Sequence, residues 1–112
     1  MSASDYDLQL ADLHSASIGK LQQAEVFDQA AFQALYDYLR LKADAIGQEH
    51  VISKQVVHCL LAAQKAILGM GEHVLVQGKR DAAMAGDFYA LLDLIALGER
   101  LGDRVPGVPR IV

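Results

Sequence analysis

Four histidines, His14, His50, His58 and His73, and one cysteine, Cys59, are the side chains in this chain best equipped for metal or acid–base chemistry. Their spacing argues against most of it. A di-iron bundle takes a Glu-x-x-His pair from each of two helices, and no glutamate stands three residues before any of these histidines. No His-x-x-x-His pair occurs either, so a zinc site would have to be assembled from distant elements. His58 and Cys59 are adjacent, which on a helix turns them about 100° apart and prevents them from acting as base and nucleophile.

Other catalytic signatures are missing too. Gly69 and Gly71 lie inside a helical pattern, with neither the Lys-Ser/Thr of a phosphate loop nor a preceding strand. Ser15 and Ser17 lack the strand–turn–helix context of a nucleophile elbow. The expectation is a protein without catalytic, metal or cofactor residues. A second expectation is a small-ligand or metal-binding bundle that uses histidines near its third helix and the glycine-opened centre of that helix.

The elements that would position these residues are helices. Both prolines, Pro106 and Pro109, fall in the last seven residues, so nothing earlier forces a break. The pattern predicts four helices, at about 5–23, 28–46, 51–77 and 81–101, in an all-α, single-domain antiparallel bundle followed by an extended tail over 102–112. The first helix starts at Ser4 or Asp5 and has uneven periodicity, because Tyr6, Leu8 and Leu10 alternate and Gly19 interrupts. Asp28 caps the second, whose stripe Phe32, Leu35, Tyr36, Leu39, Ala43 and Ile46 is the cleanest amphipathic face in the chain. Tyr38 and Leu41 lie beside that stripe, where they widen it or touch a neighbour. Gly47 ends the helix, and the short connection 48–50 returns the chain antiparallel.

The stretch 51–78 is the most apolar. Val56, Leu60, Ala63, Ile67, Met70 and Val74 make one row at helical spacing, and Val57, Leu61, Leu68 and Leu75 make a second. A helix so apolar must be covered on several sides. His58, Lys65 and Glu72 recur every seven residues as its one polar line, and Ala62, Ala66 and Gly69 form a small-residue strip suited to close helix packing or self-association. The charges Lys65 and Glu72 keep it from crossing a membrane. Gly78, Lys79 and Arg80 then turn the chain, Asp81 or Asp87 caps the last helix, and the third and fourth helices form the core hairpin.

Composition adds the partner. Replacing the four tyrosines by the nine glycines in the 53% hydrophobic tally brings it to about 57%, against a usual 45–50%, a surplus that points to a homodimer. The net charge of −4 is concentrated early: Asp5, Asp7, Asp12, Glu25, Asp28 and Asp37 precede residue 38 against Lys20 alone. Without a basic patch, nucleic-acid binding is disfavoured. A lone cysteine on an apolar face and an acidic start without an apolar run suit a reducing, cytoplasmic setting. The expected activity is that of a non-enzymatic protein-binding protein of adaptor, chaperone or toxin-neutralising type, which meets another, basic protein through an acidic helical surface that includes Asp28 and Asp37. A ridge of Val105, Val108 and Ile111, set at the polyproline period by Pro106 and Pro109, is a second candidate contact.

Overall fold

The computed structural model describes residues 6–46 and 52–96. Asp7 opens the first helix: its side chain accepts from the Leu10 N–H at 3.0 Å and caps α1, Leu8–His14. The chain then passes through a π-helical turn, Ser15–Gly19, into α2, Lys20–Ala24. That turn explains the uneven periodicity of this segment, and Tyr6 and Leu8 are exposed rather than part of a stripe. Buried Ser17 meets its hydrogen-bond demand locally by donating to the Leu13 carbonyl at 2.6 Å. Glu25 ends α2 in the left-handed region, with φ of 57°.

The all-α expectation is corrected at the next step. Val26–Asp28 forms β1, which pairs in parallel with β2, Leu75–Gln77, in the register Val26 to Leu75, Phe27 to Val76 and Asp28 to Gln77. The expected third helix, 51–77, is in fact α4, Lys54–Leu68, capped by Gly69. The two glycines at 69 and 71 act as a stop rather than a kink, as their poor helix propensity allows. The eight residues assigned to a helix beyond Gly69 become a loop and a strand, because pairing with β1 satisfies their backbone groups as a frayed helix end would not. Gly78, with φ of 91°, ends β2 against Gln29, whose Oε1 accepts from the Lys79 N–H at 2.8 Å.

Between the strands run α3, Gln29–Ile46, and α4; β2 leads to α5, Met84–Ala96. Asp28 does cap α3, accepting from the Ala31 N–H at 3.3 Å. α5 begins after a turn at 81–83 in which the Met84 N–H meets the Asp81 carbonyl, so neither Asp81 nor Asp87 is its cap. With α1 and α2 taken as one interrupted rod, the molecule is a single globule of four helices and a two-stranded sheet. α4 and α5 pack together more extensively than any other pair, as expected, but fifteen residues holding β2 join them rather than a tight turn.

The core is continuous. Leu10, Ile18 and Leu21 from the first rod, Phe27 from β1, Phe32, Leu35, Leu39, Ala43 and Ile46 from α3, Val56, Leu60, Ala63 and Ile67 from α4, and Phe88, Leu91 and Ile95 from α5 are all buried in one cluster, with Tyr36 of the α3 stripe half-buried against it. An aromatic chain crosses it: Phe27 stacks on Phe32 at 5.0 Å, and Phe88 meets Phe32 and Tyr36 edge-on at 6.4 and 5.6 Å. The first helix is capped by Asp7 and not by Ser4 or Asp5, because residues 6 and 7 are not helical. The stop at Gly47, the connection 48–50, His50, residues 97–101 of the expected last helix and the tail ridge Val105, Val108 and Ile111 lie outside the described residues. Among the described residues, no helix is long and apolar enough to cross a membrane.

Candidate functional site

Charge and apolarity come together outside the core on two helix faces. On the outer side of α3, Leu41 is 64% exposed, with Asp37 four residues before it and Asp44 three residues after, both exposed. At that spacing the three share one face. Asp37 is steadied by Gln33, whose Nε2 donates to it at 3.0 Å. Exposed Arg40 stands to one side. On the outer side of α4 the signs are reversed. Lys65 is exposed between Leu61, 43% exposed, and Leu68, 66% exposed, at the same intervals of four and three. Lys54 and His58 continue that line, and α4 carries no acidic residue. The second apolar row, expected to be covered, is therefore open within one chain at Leu61, Leu68 and Leu75.

The other expected site residues are placed differently. Asp28 is committed to the fold: besides capping α3 it pairs with Lys20 Nζ at 3.5 Å, and Lys20 also donates to Gln77 Oε1 at 3.0 Å. Ala62 and Ala66 pack against the core of their own chain. Ala66 and Gly69 line a cleft of about 240 Å³ beside Leu21, Gln22, Glu25, Lys65 and His73. At its rim His73 Nε2 approaches Glu25 at 3.4 Å, both side chains 64% exposed. The cleft is smaller than the ~300–1,000 Å³ usual for ligand pockets.

Of the histidines, the structure brings two together. The rings of His14, on the last residue of α1, and His58, in mid-α4, lie 6.0 Å apart with planes 20° from parallel. Burial, and then the proximity of His58, lower the His14 pKa below the usual imidazole value. Among the described residues no group of three or more His, Cys, Asp or Glu stands ready to hold a metal. Cys59 is buried, and burial followed by the nearby Asp7 charge pushes its thiol up to about 11, so it is a poor nucleophile at neutral pH.

One polar network went unforeseen, because Asp7 reads in the sequence only as a helix-start residue. Its Oδ2 accepts from Tyr38 Oη at 2.7 Å and pairs with Lys42 Nζ at 2.6 Å, while Gln55 clamps its backbone N–H and C=O at 2.8 Å each. Burial alone would raise the Asp7 pKa. The bonds from Lys42, Tyr38 and Leu10 and the Lys42 charge outweigh it and hold the carboxyl at about 2. The network ties the start of α1 to α3 and α4. The signal available was Tyr38 and Lys42 at i and i+4 on α3, off its main stripe.

Compared with known protein families, curated proteins and solved structures, the chain matches none of them.

Proposed function

We propose that this chain is a non-enzymatic, cytoplasmic protein-binding protein that works as a homodimer, α3 of each copy docking on α4 of the other. The supporting observation is the inverse match of the two outer faces. Asp37, Leu41 and Asp44 read acid, leucine, acid; Leu61, Lys65 and Leu68 read leucine, lysine, leucine at the same spacing. Set against each other, Leu41 enters between Leu61 and Leu68 while Lys65 enters between the two aspartates. Apolar knobs then meet an apolar hole and the charges alternate in sign, which favours this pairing over either face with itself.

A standard interface buries about 1,600 Å², more than one such helix contact, so a two-fold axis that makes the contact twice suits a stable dimer. The same acidic face retains the expected preference for a basic partner, with Asp37 and not Asp28 as its charged member. Sedimentation equilibrium tests the proposal. A dimer that weakens with added salt and becomes a monomer in Leu41→Glu supports it; a monomer at tens of micromolar, or a dimer indifferent to both changes, contradicts it.

A further inference from the structure

Glu25 stands where its side chain adds little to the fold. Its backbone has φ of 57°, a conformation that favours glycine, and among the described residues its exposed carboxylate has one partner, His73 Nε2 at 3.4 Å. Strain of this kind in a non-glycine residue clusters at binding sites, where it secures the position of a side chain. The position here is the mouth of the cleft of about 240 Å³ between the end of α2 and the end of α4. His73 reaches the same mouth through a second local feature. A Cβ on Gly71 would lie 2.8 Å from the imidazole and push the ring away.

The floor of the cleft is apolar: Leu21 and Val74 are buried, and Ala66 and Met70 are half-buried. Its mouth presents hydrogen-bond acceptors, namely the Glu25 carboxylate, the Gln22 amide oxygen and one nitrogen of a neutral His73 ring. A primary ammonium, with three N–H donors and no acceptor, is the head group that this set matches. At about 30 Å³ for each water-sized group, the cleft has room for about eight non-hydrogen atoms. Lys65 also lines it. The inference rests on the proposed dimer for this residue alone: there its ammonium turns to the aspartates of the other copy, and its stem is left as a wall.

We infer that the cleft binds a small primary amine with a compact apolar body, the ammonium on Glu25, Gln22 and His73 and the body on Leu21, Met70 and Val74. A ligand of this size is smaller than those that fill ordinary pockets, as the volume requires.

Benzylamine is the probe, and benzyl alcohol, of equal shape and without charge, is its control. Titration of the full chain at pH 8, above the ordinary imidazole range, is followed by amide NMR. Saturable shifts in residues 22–25 and 69–74 are expected, with a Kd below about 1 mM that weakens about tenfold or more for benzyl alcohol and in Glu25→Gln. Glu25 is exposed, so its variants keep the fold. Glu25→Gly is expected to lose binding while gaining stability, a combination that a purely structural role would not give. Lys65→Gln removes the cation of the proposed dimer and is expected to bind benzylamine at least as tightly, so a failed dimer leaves the reading of the cleft testable by itself. Equal binding of the alcohol, undiminished binding in Glu25→Gln, loss of binding in Lys65→Gln, or no saturable shift up to about 10 mM benzylamine each overturns the site.

Discussion

Asp7 does more for this fold than any other charged residue described. With its carboxyl held at about 2 in the folded protein against 3.8 unfolded, it contributes stability that is complete above pH 3.8 and is lost as the pH falls from there through about 2. The shift corresponds to about 2 kcal/mol. Urea unfolding of the wild type is expected to lose that much between pH 5 and pH 2 through this group, and Asp7→Asn is expected to lose it already at pH 7. Lys42 acts in the opposite direction. Its raised pKa, caused first by the bond to Asp7, contributes stability below 10.5 that disappears as the pH climbs through the folded value. Glu25 is a different kind of residue, a non-glycine in the left-handed region. Its ion pair with His73 is exposed and worth little. Glu25→Gly is therefore expected to stabilise the protein by about 0.5–1 kcal/mol in the same assay.

Among the elements, β1 and β2 have the largest consequence, since they fasten the two halves of the chain through Phe27. Removing a buried phenylalanine costs about 3–5 kcal/mol, and Phe32 touches both Phe27 and Phe88. Phe32→Ala is expected to cost that much and to lower hydrogen-exchange protection in β1, β2 and α5 together. Gly78→Ala is expected to cost about 1–2 kcal/mol, because φ of 91° is strained for alanine and its Cβ would lie 3.1 Å from Gln29 Cβ.

These strands also mark where reading the sequence stopped working. The α3 stripe, the Asp28 cap and the α4 row from Val56 to Ile67 follow from local spacing and needed no partner to be seen. Val74 and Leu75 fit the two helical rows, which carried the expected helix on to residue 77, whereas the loop at Gly69–Gly71 frees Leu75, Val76 and Gln77 to pair with residues almost fifty positions earlier. Such pairing leaves no local periodic trace in three residues. The candidate site was visible in fragments: Asp37, Leu41, Leu61, Lys65 and Leu68 each stood out, but which of them the fold leaves exposed is decided by tertiary packing.

For the whole molecule, the apolar surplus of the composition finds a place in the open leucines at 41, 61 and 68. A dimer that covers them by pairing α3 with α4 makes a specific electrostatic demand. The most direct measurement is a charge swap followed by sedimentation equilibrium. Lys65→Glu alone and Asp37→Lys with Asp44→Lys alone are each expected to give monomers, since like charges then face each other across the contact. All three substitutions in one chain are expected to restore the dimer, because every pairing is again opposite in sign. A combined variant that stays monomeric while its circular dichroism remains native, or single variants that stay dimeric, would contradict the interface.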